Sequence, residues 1–128
     1  MHCNNIMLID DNQALREAMA TMLRLSNYEV DEREHLKEIF DVARLPDLYI
    51  IDYWLKDIQG SSVCSIIKAN KNTKNIPVII MSGDPAIESA AYNFGADAFL
   101  RIPFSMKQML TMVSDLLYPL NFSVFEKT

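Results

Sequence analysis

The feature that most constrains this chain is a series of short, unbroken apolar runs, most of which stop on a polar residue. Ile6-Met7-Leu8-Ile9 stops at Asp10-Asp11-Asn12, Leu48-Tyr49-Ile50-Ile51 at Asp52, and Ile76-Pro77-Val78-Ile79-Ile80-Met81 at Ser82-Gly83-Asp84. Ala98-Phe99-Leu100-Arg101-Ile102 is a fourth run, ended by Pro103. A strand with one face in water alternates apolar and polar residues. A strand that is apolar throughout is covered on both faces, as in a parallel sheet between two layers of helix. Tyr28-Glu29-Val30-Asp31-Glu32 does alternate, which marks an edge strand.

Between these runs the apolar spacing changes to three and four. Ala14, Leu15, Ala18, Met19, Met22 and Leu23 predict a helix over about 13–26. Leu36, Ile39, Phe40 and Ala43 mark a second helical segment, and Val63, Ile66 and Ile67 a third. Ala86, Ile87, Ala90, Ala91 and Phe94 mark a fourth, with Gly95 as its C-terminal stop. Met106, Met109, Leu110, Val113, Leu116 and Leu117 mark a fifth, with Ser105 as N-cap. Five strand–helix units imply a three-layer, doubly wound α/β fold around a five-stranded parallel sheet. Residues 1–118 read as one domain, and 119–128, opened by Pro119, as a C-terminal tail or the start of a linker.

Composition narrows the function. A chain of 128 residues, 50% hydrophobic and 23% charged, has the size and apolar content to fold as one domain and is not disordered. Its net charge of −5, without a basic cluster, argues against a nucleic-acid surface within this chain. Cys3 and Cys64 are far apart and form no CxxC, so neither a zinc site nor a disulfide framework is expected. No apolar stretch approaches membrane-spanning length and no basic segment precedes the first run. Neither membrane insertion nor secretion is therefore expected, and the expected location is cytoplasmic. The loops after the strands lack the glycines of a phosphate cradle, which sets aside a nucleotide- or flavin-dependent enzyme.

In an open α/β sheet, ligands bind beyond the carboxyl ends of the strands. Asp10 and Asp11 follow the first strand, Asp52 the third and Ser82 the fourth. Three carboxylates on one edge raise one another's pKa unless a cation lies among them. Mg2+ suits such hard oxygen donors, and the waters it keeps leave room for a phosphoryl group. Plainer roles compete: Asp10-Asp11-Asn12 as caps of the first helix, Ser82 as a turn residue beside Gly83-Asp84-Pro85, Phe99 as core. Trp54 reads equally as an exposed ring, Cys64 as a small buried hydrophobe and the eight methionines as core filler. His2 and His35 have no partners at metal-binding spacing.

Asp10-Asp11, Asp52, Gly60 eight positions beyond it and Ser82 thirty beyond it together resemble the response-regulator receiver domain of two-component signalling. Gly95-Ala96-Asp97-Ala98-Phe99-Leu100 and Pro103-Phe104 resemble that family's fifth-strand segment, and the likeness runs from about Ile6 to Leu117. The resemblance implies a flavodoxin-like sheet of order 2-1-3-4-5. It implies a phosphoacceptor signalling domain rather than an enzyme, capable at most of self-catalysed transfer and dephosphorylation. Asp52 would be the nucleophile, receiving a phosphoryl group from a sensor histidine kinase or a phosphotransfer protein. Asp11 and Asp52 would bind Mg2+ directly, Asp10 through water, and the backbone carbonyl of Trp54 would add an oxygen. Ser82 would meet the phosphoryl oxygen, and Phe99 would follow as an aromatic switch. That switch would alter the face of the fourth helix, fifth strand and fifth helix, where a downstream protein target would dock; a homodimer is a separate expectation with no face assigned to it.

The departures from the family are equally specific. Ile102 stands where the family places a lysine, and alternation turns the neighbouring Arg101 to the opposite face. Losing that cation removes a charge-assisted hydrogen bond of roughly 1.5–3 kcal/mol and weakens the link from phosphoryl group to switch. Trp54, two residues past Asp52, would shield an acyl phosphate from water, and it occupies the position where an aspartate-nucleophile phosphatase needs a carboxylate. Lys56 replaces the usual proline of the following loop and would place a cation near the pocket. Ile102 also keeps a rival open: a pseudo-receiver, acting as a phosphorylation-independent protein–protein interaction module.

Overall fold

A computed structural model describes residues 4–35, 39–40, 43–55 and 59–119. Strands β1 (Asn5–Ile9), β2 (Glu29–Arg33), β3 (Leu48–Asp52), β4 (Val78–Ser82) and β5 (Ala98–Arg101) pair in parallel, in the order β2-β1-β3-β4-β5. Among the described residues there are four helices: α1 (Gln13–Leu25), α2 (Gly60–Ala69), α3 (Ile87–Asn93) and α4 (Met106–Leu117). The helix expected around Leu36–Ala43 lies largely outside the described residues, although Ile39, one of its apolar positions, is buried. Cys3, His2, Lys56 and most of the 119–128 segment also lie outside them.

The unbroken apolar strands are explained by two cores, one on each face of the sheet. Met7, Ile9, Tyr49, Ile51, Val78, Ile80 and Phe99 pack with Val63, Cys64 and Ile67 of α2 and Ala91 of α3. Ile6, Leu8, Leu48, Ile50, Ile79, Met81 and Leu100 pack with Met19 and Leu23 of α1 and Met109 and Val113 of α4. β2, at one edge of the sheet, carries one apolar residue among charged ones. Its charges keep the open edge from pairing with another chain.

Local signals set most of the boundaries. Asn12 caps α1 by accepting the Leu15 N–H at 3.1 Å. Ser105 and Gln108 form a capping box at the start of α4. Gly95, at φ 101°, ends α3. Four large apolar positions expected at helical spacing come out exposed: Phe40, Ile66, Phe94 and Met106. Ile66 lies off the arc of Val63, Cys64 and Ile67 that α2 buries, and Phe94 is the C-cap of α3 rather than part of its apolar stripe. β4 begins at Val78 rather than Ile76, with Pro77 contributing only its carbonyl, to the Tyr49 N–H at 3.0 Å.

Tyr49 is fully buried and its hydroxyl has no hydrogen-bond partner; burial pushes its pKa up to about 12. An unsatisfied buried hydroxyl costs on the order of 1–3 kcal/mol. Tyr49→Phe is therefore expected to raise the urea unfolding midpoint, by an equivalent of about 1 kcal/mol. A lower midpoint would mean that the hydroxyl is bonded in solution.

Candidate functional site

The strand order reverses between β1 and β3, since β2 lies on one side of β1 and β3 and its successors on the other. Such a switch point opens a crevice at the carboxyl edge of the sheet. Ile9 and Ile51 are register partners, so Asp10 and Asp52 leave the sheet side by side. Asp10, Asp11 and Asp52 each present a carboxylate oxygen within 4.8 Å of the others. Asp10 is buried; its Oδ1 accepts the Asn12 N–H at 2.8 Å, while its Oδ2 is buried without a partner. Asp52 Oδ1 accepts the Trp54 N–H at 3.3 Å. Because Asn12 caps α1, Asp10 and Asp11 are not consumed by that role.

Electrostatics record the crowding. Burial first, and then the Asp10 carboxylate, push Asp52 up to about 7. Burial likewise raises Asp10, with Asp11 adding to the effect. The backbone also closes in on Asp52. Gly60 donates its N–H to the Tyr53 carbonyl at 2.9 Å, and a Cβ there would lie 2.8 Å from the Asp52 carbonyl oxygen and 3.0 Å from Tyr53 Cα. A glycine is thus required at this position for α2 to start so close to β3.

Ser82 ends β4 and is buried, its Oγ accepting the Asp84 N–H at 3.1 Å, so the turn role holds in this state. Phe99 pairs in register with Ile80, two residues before Ser82, so Phe99 and Ser82 share a face of the sheet. Phe99 is buried in the core beneath α2 and α3. Ile102 donates its N–H to the Ser82 carbonyl at 2.9 Å, but its side chain packs with the α1–α4 core. Arg101 is exposed and lines a groove of ≈ 670 Å³ between β5 and α4. Trp54 is half exposed, with its ring edge-on to Tyr53 at 4.6 Å.

The three carboxylates have the character of a divalent-cation site. All donors are hard oxygens, one buried oxygen is unpartnered, and the cluster's own repulsion calls for positive charge. Residues 6–114 match the response regulator receiver domain family. The chain belongs to that family. Over 116 residues the receiver is 30% identical to the DNA-binding dual master transcriptional regulator RpaA of Synechocystis sp., covering 88% of this chain and 48% of that protein. It spans about half the length of the curated transcriptional regulators it matches. Its fold is shared with the signal receiver domain of a signal transduction histidine kinase from Syntrophus aciditrophicus, at TM-score 0.83, 24% identity and 93% coverage of both chains. A TM-score of 0.82, at 19% identity, relates it to the receiver domain of the sensor histidine kinase PA1611 from Pseudomonas aeruginosa PAO1, covering 91% of this chain and 98% of that one. That structure has a magnesium ion coordinated in its active site cleft.

The receiver fold therefore brings Asp10, Asp11 and Asp52 together as the strand ends implied, while the Ile102 side chain packs with the α1–α4 core and Arg101, the register partner of Ser82, is exposed. A second cation was not read from the sequence. Arg16 Nη1 donates to the Asp10 carbonyl at 2.8 Å, and its charge lowers the Asp10 pKa. A signal for it existed: a cation near the positive end of a helix is disfavoured and needs a tertiary partner. Among the described residues no helix is long and apolar enough to cross a membrane.

Proposed function

We propose that this receiver accepts a phosphoryl group on Asp52 from a histidine kinase or phosphotransfer protein in the cytoplasm, and answers through the face made by α3, β5 and α4. The observation that carries the reading is the cluster of Asp10, Asp11 and Asp52 at the switch point of the sheet, with a buried oxygen left unpaired. Asp10, Asp11, Asp52 and the backbone carbonyl of Trp54 would hold Mg2+. When bound, the cation supplies the positive charge that keeps Asp52 ionised and offsets the charge of the phosphoryl oxygens. A carboxylate oxygen of Asp52 forms the new bond to phosphorus as the donor's bond breaks, giving an acyl phosphate. Ser82 then exchanges the Asp84 N–H for a phosphoryl oxygen, turning from acceptor to donor. Phe99, on the same face one strand away, follows into the space this opens. The half-exposed Trp54 ring covers the acyl phosphate from water.

The groove between β5 and α4, lined by Leu100, Met112 and Leu116 with Arg101 and Lys107 at its rim, gives the target or a second copy an apolar seat on that face. Ile102, packed away from the pocket, favours a second reading as a phosphorylation-independent interaction module. Amide spectra of the wild type and Asp52→Asn, with Mg2+ and a small phosphodonor, separate the two. The proposal expects shifts along β5 and α4 in the wild type alone; unchanged wild-type spectra favour the second reading.

A further inference from the structure

We propose that Arg16 is a positioning residue of the acidic pocket, clamping the Asp10 backbone so that the Asp10–Asp11 corner keeps its shape for a divalent cation. The inference rests on the reading of Asp10, Asp11 and Asp52 as a Mg2+ site. The Arg16 side chain is 13% exposed, deeply placed for a guanidinium. Its Nη1 donates to the Asp10 carbonyl at 2.8 Å, and its Nε reaches Glu32 Oε1 at 3.4 Å. Glu32 is held from its other oxygen by Arg24 Nη1 at 3.1 Å, which ties the Arg16 partner to the far end of α1. On its other side, the Asp10 N–H donates to the Arg33 carbonyl at 3.1 Å. Both backbone polar groups of Asp10 are thereby fixed, one by β2 and one by Arg16. Its carboxylate is fixed through Oδ1 by the Asn12 N–H, and only Oδ2 is left without a partner.

Two effects of Arg16 oppose each other. Its charge repels a cation in the pocket, whereas its hydrogen bond holds the corner that supplies two of the carboxylates. Glu32 lies 3.4 Å from Arg16 Nε and offsets part of its charge, so the repulsion is the weaker effect and the hydrogen bond to the Asp10 carbonyl the stronger. Groups that orient metal ligands without touching the metal commonly change affinity by 10–100-fold.

The test is a Mg2+ titration of the full chain, followed by the fluorescence of Trp54, for wild type, Arg16→Met and Arg16→Lys. Methionine keeps the aliphatic stem without the charge; lysine keeps the charge but cannot hold the Asp10 carbonyl and Glu32 together. With thermal melts showing each variant folded, both are expected to bind Mg2+ about tenfold more weakly. Their rates of phosphorylation by a small phosphodonor are expected to return to within about twofold of wild type at saturating Mg2+. Unchanged or tighter Mg2+ binding in a folded variant overturns the proposal, as does a rate that stays low at saturating metal. A wild type that shows no Mg2+ response removable by Asp52→Asn overturns the functional reading itself, and this inference with it.

Discussion

In metal-free buffer, Asp52→Asn is expected to be more stable than the wild type by about 2 kcal/mol at pH 8, with the advantage vanishing toward pH 4. The Asp52 carboxyl is raised from 3.8 to about 7, chiefly by burial and then by Asp10. A carboxyl with a raised folded-state pKa holds its proton longer in the folded chain than in the unfolded one. Between about pH 4 and pH 7 the folded state binds more protons, so stability falls as pH rises through that window. Its contribution is intact below about 4 and lost above about 7. A shift of this size converts to about 4 kcal/mol at 1.36 kcal/mol per unit. Asp52 is only partly buried, and water screening reduces the figure to about 2 kcal/mol. Asp10, shifted in the same direction, adds to the slope in both proteins. Urea unfolding with a chelator at several pH values checks this: a declining wild-type curve and a flatter Asp52→Asn curve are expected. Added Mg2+ at pH 8 should then stabilise the wild type and leave Asp52→Asn nearly unchanged, since a ligand stabilises only the state that binds it. A wild-type stability flat from pH 4 to 8 would contradict the account of the pocket's charge.

Gly60→Ala is expected to cost about 2 kcal/mol, a typical figure for forcing a methyl group into closely packed surroundings. The added Cβ meets backbone, 2.8 Å from the Asp52 carbonyl oxygen and 3.0 Å from Tyr53 Cα, and backbone cannot rotate aside as a side chain would. Either α2 moves outward or the end of β3 moves inward. The first weakens the 2.9 Å bond from the Gly60 N–H to the Tyr53 carbonyl, and the second displaces Asp52 itself. The change should therefore lower both the unfolding midpoint and the affinity for Mg2+, whereas Ser62→Ala, at an exposed position two residues on, should do neither. Wild-type behaviour in both measurements would mean that the close approach relaxes without reaching the pocket.

The sheet was legible because burial on two faces leaves an unambiguous pattern. The runs at Ile6, Leu48 and Val78 are apolar throughout, and the alternation after Tyr28 named the edge strand correctly. The three aspartates were legible because each follows a strand end, and a parallel sheet sends those ends to one edge. What sequence could not show was contact made by tertiary packing. Ile66 and Phe94 sit at helical spacing, yet the narrow faces of α2 and α3 leave them outside. Asp97 reads as part of a loop motif, but its carboxylate accepts from Lys68 and from the Val78 N–H, both at 2.8 Å, pinning α2 and β4 to the start of β5. Arg16 reaches Asp10 across the first turns of α1, a pairing that no short motif announces.

The most direct test of the central claim is the intact mass of the chain after incubation with a small phosphodonor, with Mg2+ or with a chelator, for wild type and Asp52→Asn. The account predicts the gain of one phosphoryl group by the wild type in Mg2+, and no gain in the chelator or by the variant. A wild type that gains nothing while binding Mg2+, or a variant that gains the group equally well, would contradict the assignment of Asp52 as the phosphoacceptor.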